Sequence, residues 1–121
     1  MKTYRVTIAG SGRQLLERAG AAVGFSERLR GLMFRKGLEP GEGLFLPDCR
    51  SVHTFFMRFP IDLVYLDREN QVVKVVHAIK PWRLSCCLRA RSVLEMAAGR
   101  AQAAGLQAGD RLSLGATTPG R

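Results

Sequence analysis

Short apolar segments that alternate with turn-forming residues are the feature that most constrains the fold of this chain. Residues 3–9 alternate apolar and polar side chains and precede Gly10-Ser11-Gly12, a pattern that predicts a half-buried strand and a turn. Further strands are predicted over residues 44–46, 52–57, 61–66, 71–79, 92–96 and 111–114. Strands spaced this closely leave no room for the helical connections that parallel sheets require. We therefore predict an α+β fold that is mostly β, with an antiparallel sheet of about seven or eight short strands curled into a small barrel or sandwich.

Two short helices complete the predicted fold. Ser26 is a suitable N-cap for the first helix and Gly37 a suitable C-terminal cap, while residues 98–104 predict a second helix that a glycine ends. Residues 14–23 fit either a strand or a short helix, and the turn before them favours the strand. Residues 71–79 are apolar on both faces, which predicts a central strand.

The length and composition of the chain limit what kind of protein it is. With 121 residues, it is expected to form a single domain over residues 1–121, with a frayed tail over residues 116–121. No apolar run approaches the roughly 20 residues of a membrane span, and the start of the chain lacks the pattern of a signal peptide. These features predict a cytoplasmic protein without a membrane span.

The cysteines and the net charge give two further expectations. The three cysteines, Cys49, Cys86 and Cys87, are odd in number and two are adjacent, which predicts free thiols, and their spacing matches no zinc site. We therefore expect no metal and no cofactor. The net charge is +9, from 19 basic and 10 acidic residues. This excess indicates an anionic partner, such as a small anionic ligand or an acidic protein, or simply a solvated basic surface.

Residues 51–67 are the most informative stretch for function, since they hold three of the six Phe together with a His, an Arg and an Asp. An apolar floor with a few polar groups is typical of a ligand-binding cleft. We predict that Arg58 approaches Asp62 across the turn at Pro60 and binds an anion there. The predicted ligand-binding residues are Arg58, Asp62, His53, Phe56 and Arg28. A buried Arg58–Asp62 ion pair that only fixes the turn is the alternative, and Arg28 fits either a solvated position or one facing the mouth of the barrel.

Cys49 and His53 are the strongest candidates for catalytic residues, because a Cys–His pair can form a reactive thiolate. Their spacing in the sequence corresponds to roughly 13 Å along a strand, which is too far for direct contact. Glu95 and Asp110 are interpreted as turn or capping residues. We therefore expect no catalytic residues.

A second candidate surface lies between Glu69 and Glu95, where the sequence contains no acidic residue. The predicted basic patch consists of Lys80, Trp82, Arg83, Arg89 and Arg91. Basic residues near an aromatic ring can hold a phosphate and stack a base, although a solvated loop gives the same pattern. No recognition helix or aromatic-rich platform accompanies the patch in the sequence, so nucleic acid is not the expected partner.

Several motifs occur in an order and spacing that resemble a known family. They read Arg28-x-x-Gly31-Leu32-Met33-x-Arg35, Gly43-Leu44-Phe45, Phe55-Phe56-Met57-Arg58-Phe59-Pro60-Ile61-Asp62, Val93-Leu94-Glu95 with Gly99, and Gly105-Leu106-x-x-Gly109-Asp110. Over residues 25–114 the chain resembles the prokaryotic family called domain of unknown function 192. The central segment of that family usually reads Phe-Trp-Met-Lys-Asn-Thr, so Phe56 and Arg58 mark a variant branch in which residues 51–54, Ser-Val-His-Thr, lead the segment. The resemblance implies a compact, β-rich α+β fold and no established reaction, substrate or cofactor.

Three classes of function are compatible with these features. The favoured one is a non-enzymatic binding module, monomeric or weakly homo-oligomeric, whose aromatic-floored cleft takes a small anionic ligand or a peptide. The second is a structural or assembly protein whose aromatic segment belongs to the core and whose basic surface meets an acidic protein. The third is an enzyme of unknown reaction that uses His53, Asp62 or Cys49. A cleft lined by Arg58 and His53 with exposed polar atoms favours the first class, whereas burial of residues 55–59 with Arg58 paired internally favours the second. A Cys49 sulfur within about 4 Å of a His53 nitrogen favours the third.

Overall fold

The structure is a computed structural model and describes residues 2–22 and 37–117. These residues form nine strands: β1 (Thr3–Ile8), β2 (Gln14–Ala21), β3 (Glu42–Pro47), β4 (Ser51–His53), β5 (Ile61–Leu66), β6 (Val72–Ile79), β7 (Leu84–Cys86), β8 (Ser92–Ala97) and β9 (Leu112–Ala116). One short helix, α1 (Arg100–Ala103), connects β8 to β9. The prediction of a mostly β fold is confirmed.

Seven of the strands form one curled sheet in the order β6-β5-β8-β3-β2-β1-β9, while β4 and β7 pair separately as a two-stranded ribbon. All pairs are antiparallel except β2 with β3. The curl brings the two ends of the sheet together, because the Val72 N–H donates to the Asp110 carbonyl at 2.7 Å and Gln71 bridges Arg111. The result is a half-barrel with an inner and an outer face.

Apolar residues cover both faces of this sheet. The six residues of β5 are all buried and point alternately to the two faces. The inner cluster comprises Val6, Ile8, Leu15, Leu16, Ala19, Val64, Leu66, Val72, Leu94, Met96, Ala101, Ala104, Leu106 and Leu112. The outer cluster comprises Ala22, Leu44, Leu46, Cys49, Val52, Met57, Ile61, Leu63, Tyr65, Ala90 and Val93. Helix α1 packs on the inner cluster, and the β4–β7 ribbon is tied to the outer face by a 2.8 Å hydrogen bond between Tyr65 and Ser85.

The prediction that β6 is a central strand is wrong. β6 lies at an edge of the sheet, where, among the described residues, β5 is its one strand partner and only Val72 at its start bonds to the segment before β9. Both of its faces are apolar because the sheet carries a core on each side: Val75 packs against the inner cluster, and Val73 and Val76 pack against the outer one. These three side chains are only partly buried, as expected at an edge.

The predicted strand over residues 52–57 is wrong beyond His53, where β4 ends. Thr54 is fully buried, and the Met57 N–H donates to the Thr54 carbonyl at 3.2 Å, which closes a turn. Phe56 has φ 66°, a left-handed backbone conformation that lies outside the β region and interrupts an extended strand. The segment predicted as a loop over residues 80–91 also contains a short strand, β7.

Several local predictions are confirmed. β1 and β2 form a hairpin, and its turn contains two glycines with positive φ. Helix α1 lies within the predicted residues 98–104 and is followed by Gly105 with φ 69° and by the buried Leu106. The other predicted helix, after Ser26, lies outside the described residues. β9 continues to Ala116, where the sequence predicts that the frayed tail begins.

The described parts of the chain contain no helix that is both long enough and apolar enough to cross a membrane.

Gly43 in β3 is a point of close backbone approach, and it yields a stability prediction. A Cβ atom at this position would lie 2.6 Å from the Glu95 carbonyl oxygen and 2.6 Å from Leu16 Cδ1. We expect Gly43→Ala to lower the free energy of unfolding by about 1–3 kcal/mol, because the sheet must shift to admit the methyl group. Gly115→Ala in β9 is the matched control, since its nearest neighbour would lie 3.9 Å away. Equal urea midpoints for Gly43→Ala and wild type would contradict the prediction.

Candidate functional site

Thr54 joins the two loops that build the candidate site. Its hydroxyl donates to the Lys80 carbonyl at 2.7 Å and accepts the Arg83 N–H at 2.9 Å. Its backbone N–H donates to the Arg83 carbonyl at 2.9 Å, and its carbonyl accepts the Trp82 N–H at 3.0 Å. These bonds fix the loop after β4 against the loop between β6 and β7, although the two are far apart in the sequence.

Four aromatic side chains meet where these loops join, and we call them the aromatic cluster: His53, Phe55, Phe56 and Trp82. The His53 ring stacks on Phe55 with centroids 4.9 Å apart, and Phe55 stacks on Trp82 at 5.6 Å. The ring of Phe56 also packs against Trp82, with the two centroids 4.8 Å apart. Phe56 is 48% exposed and Trp82 is 55% exposed. The cluster is therefore a surface feature rather than the floor of an enclosed cleft.

The backbone holds the two most exposed rings of the cluster in an uncommon conformation. Phe56 has φ 66° and Trp82 has φ 63°, both in the left-handed region that bulky residues rarely adopt. Such a conformation costs on the order of 1 kcal/mol or more per residue and persists where the surrounding bonds impose it. Here the hydrogen bonds of Thr54 supply that constraint. Large aromatic residues are kept at positions that glycine or asparagine would occupy more easily.

Both loops that carry the aromatic cluster also carry exposed basic residues. Arg58 follows Phe56 closely in the sequence, and Lys80 and Arg83 flank Trp82; all three are exposed. Arg83 Nη1 donates to the Pro81 carbonyl at 3.3 Å, which orients its guanidinium group beside the loop. Among the described residues, the Arg58 side chain forms no hydrogen bond or ion pair. The cluster therefore combines exposed aromatic rings with basic groups.

The predicted pairing of Arg58 with Asp62 is wrong. Asp62 is fully buried, and its Oδ1 atom accepts the Ala78 N–H at 2.8 Å. Its Oδ2 atom accepts the N–H groups of Gly99 and Ala101 at 3.1 and 3.0 Å. The carboxylate thus fixes the start of α1 and the irregular end of β6, and it does not face the aromatic cluster.

The structure divides the predicted basic patch between the two ends of the β4–β7 ribbon. Lys80, Trp82 and Arg83 lie at the end with the aromatic cluster. Arg89 and Arg91 lie at the opposite end, where they line a cavity. The patch is therefore two separate groups of basic residues.

Cys49 and His53 do not form a pair. Cys49 is buried, and its Sγ atom donates to the Ser51 carbonyl at 3.0 Å. His53 is exposed, and its Nδ1 atom accepts the Phe55 N–H at 3.3 Å. All three cysteines are free thiols, as predicted. The predicted ligand-binding residue Arg28 lies outside the described residues.

Glu95 is a buried carboxyl group whose position the sequence interpretation missed. It lies within β8, opposite Leu44 and Leu63 of the neighbouring strands, and its reading as a turn or capping residue is wrong. Burial raises the pKa of Glu95 from 4.5 to about 7. In the described part of the chain, no hydrogen bond or ion pair reaches its carboxyl group. The alternation of side chains along the strand could have predicted this burial, since it places Glu95 on the same face as Val93.

Comparison with known proteins gives one family and two curated relatives. The model of the family DUF192, described as "Uncharacterized ACR", matches residues 6–114. A UPF0127 protein of Pyrococcus furiosus is 33% identical over 105 residues, which cover 84% of this chain and 90% of that protein. A UPF0127 protein of Pyrococcus horikoshii is 34% identical over 92 residues, or 73% of this chain and 79% of that protein.

Two crystal structures share the fold. A protein from Sinorhizobium meliloti 1021, provisionally named a transcription regulator, superposes with a TM-score of 0.81 and 26% identity, covering 93% of each chain. A protein of unknown function from Novosphingobium aromaticivorans DSM 12444 superposes with a TM-score of 0.79 and 23% identity, covering 92% of this chain and 84% of the other. The half-barrel is therefore a recurring architecture.

Proposed function

The chain belongs to the DUF192 family, and on that premise we propose that it is a small non-enzymatic binding module whose aromatic cluster binds an acidic peptide segment of another protein. The observation that carries the proposal is the exposure of Phe56 and Trp82 on a rigid, strained loop pair. Large apolar side chains that stay exposed together often mark an interaction surface.

The shape of the surface favours a peptide over an enclosed small molecule. Small-molecule sites are concave and bury most of the ligand, whereas the rings of Phe56 and Trp82 are about half exposed. Leu84, which lies opposite His53 in the β4–β7 ribbon, is also exposed and extends the apolar surface. Aromatic and Arg side chains are the residues that most often dominate binding at protein interfaces.

The charge around the cluster favours an acidic partner. Arg58, Lys80 and Arg83 are exposed beside the rings, and the buried carboxylate of Asp62 is already engaged by three backbone N–H groups. Separation of His53 from Cys49 supports a role in binding rather than in nucleophilic catalysis.

We propose in addition that the protein acts in the cytoplasm, since its odd number of cysteines and their free thiols suit a reducing compartment.

Trp82 provides a direct test, because it is the single tryptophan of the chain. A tryptophan-free peptide rich in Asp, Glu and Phe is the probe, and its binding is expected to shift the emission of Trp82. Phe56→Ala is expected to weaken binding by about 2 kcal/mol, or roughly thirtyfold, which is typical of an interface hot spot. The affinity is expected to fall as salt is added.

Leu88→Ala is the matched control, because Leu88 is an exposed apolar residue outside the aromatic cluster. Loss of peptide binding in both variants, or in neither, would count against the cluster as the binding surface.

Aromatic rings beside basic groups also form a stacking platform for single-stranded nucleic acid. Tighter binding of a short oligothymidylate than of the acidic peptide, with the same dependence on Phe56, would replace the peptide proposal.

A further inference from the structure

A cavity of about 290 Å³ lies at the end of the β4–β7 ribbon opposite to the aromatic cluster. Its charged rim is built by four arginines, Arg50, Arg68, Arg89 and Arg91. We propose that this cavity, here called the arginine cavity, binds the phosphate group of a small phosphorylated molecule. The proposal does not depend on the peptide site, since the two surfaces have no residue in common.

Three of the four guanidinium groups are held in place by acceptors of the protein. Arg50 Nε donates to the Ala90 carbonyl at 3.1 Å, and Arg89 Nη2 donates to the Val73 carbonyl at 3.5 Å. Arg91 Nε donates to Asp48 Oδ1 at 3.2 Å. Each guanidinium group has five N–H donors, so these contacts orient the group and leave donors for a ligand.

The loop that presents Arg89 and Arg91 is itself fixed to the sheet. The Cys87 N–H donates to the Arg50 carbonyl at 2.9 Å, and the Arg91 N–H donates to the Leu66 carbonyl at 2.7 Å. Ala90, between the two arginines, is buried in the outer cluster. Arg50, Arg89 and Arg91 are therefore preorganised, which lowers the entropic cost of binding an anion.

The balance of charge in the cavity favours an anionic ligand. Two carboxylates also line it, Asp67 and Glu69. Asp67 Oδ1 already accepts two backbone N–H groups of the β5–β6 turn, those of Glu69 and Gln71, at 2.9 and 3.0 Å. The four arginines of the cavity thus outnumber the carboxylates, even when Asp48, which pairs with Arg91, is added to Asp67 and Glu69.

Phosphate is the anion that this arrangement suits best. Guanidinium groups that line one cavity can donate paired hydrogen bonds to the oxygens of a phosphate. The volume lies at the low end of small-molecule sites, which limits the ligand to a compact body. Leu88 is 81% exposed and borders the cavity, so the ligand can carry an apolar group beside its phosphate.

The test is calorimetric titration with sodium pyrophosphate at low ionic strength. The double variant Arg68→Gln/Arg89→Gln is expected to bind at least about tenfold more weakly than wild type, because two charged hydrogen-bond donors are lost. The matched control is Arg5→Gln/Arg111→Gln, which removes the same charge from exposed arginines that do not line the cavity. The control is expected to bind as wild type does, and urea unfolding of both variants checks that they fold.

Absence of pyrophosphate binding to wild type at millimolar concentration would overturn the proposal, as would an equal loss in both double variants. A short single-stranded oligothymidylate distinguishes the two sources of phosphate. If pyrophosphate competes with the oligonucleotide and the cavity variant loses both, the phosphate is that of a nucleic-acid backbone. If pyrophosphate binds and the oligonucleotide does not, the ligand is a small molecule. Peptide binding measured on Trp82 is unaffected by these outcomes, so failure of either proposal can be recognised separately.

Discussion

Replacing Asp62 by Ala is expected to lower the free energy of unfolding by about 3–5 kcal/mol, because it removes the acceptor for three backbone N–H groups. The donors belong to Ala78, Gly99 and Ala101, and each lies 2.8 to 3.1 Å from the carboxylate. The bond from Ala101 is buried and the other two are partly buried, and a buried donor without a partner costs about 1–3 kcal/mol. Asp62→Asn keeps the shape but turns one acceptor into a donor, and an intermediate loss is expected.

Urea unfolding at neutral pH measures this effect, and Asp110→Ala is the matched control. Asp110 Oδ2 accepts one backbone N–H, that of Gln107 at 2.9 Å, in an exposed turn. Its removal is expected to cost no more than about 1 kcal/mol. If the two Ala variants unfold at the same urea concentration, the proposed role of Asp62 in joining α1, β5 and β6 is incorrect.

Raising the pH from 4.5 to about 7 is expected to weaken the fold, and Glu95 is the source of this dependence. Burial raises its pKa from 4.5 to about 7 in the folded state, so the folded protein retains a proton there that the unfolded chain releases. The stability contributed by this proton is complete below pH 4.5 and is lost progressively as the pH rises to about 7. A shift of this size corresponds to roughly 3 kcal/mol, beyond which the contribution no longer changes.

The measurement is urea unfolding of wild type and Glu95→Gln across this pH interval. The amide cannot ionise, so the difference in stability between the two proteins is expected to change in favour of the variant as the pH rises. Glu69→Gln is the control, since it makes the same substitution at an exposed position. A constant difference between wild type and Glu95→Gln at every pH would show that folding does not change the pKa of Glu95.

The elements that could be predicted from sequence are those governed by local patterns. The alternation in β1, the glycines of the first turn and the glycine after α1 all act within a few residues. The burial of β5 on both faces also agrees with its apolar composition, which Asp62 alone interrupts. The edge position of β6 could not be inferred, because a sheet with a core on each side gives its edge strand the composition of a central one.

The candidate site was only partly visible in the sequence. Residues 51–67 and the basic loop were each recognised in the sequence. The contact of Phe55 and Phe56 with Trp82, however, depends on the hydrogen bonds that join Thr54 to Lys80 and Arg83, which lie 26 and 29 positions later in the chain. The same bonds end β4 early, which turns Phe59 towards the outer cluster and leaves Phe56 exposed. No periodic pattern encodes such a non-local constraint.

The edge position of β6 bears on whether copies of the chain can polymerise through their sheets. An unpaired edge is a template for a strand from another molecule. Two irregularities in its register with β5 and a left-handed residue, Ala78 with φ 49°, bend this edge away from the flat form that such pairing needs. The exposed Lys74 adds a charge, and the Val73 carbonyl is already engaged by Arg89. The strand thus carries its own protection against fibre-like aggregation, even where no other molecule covers it.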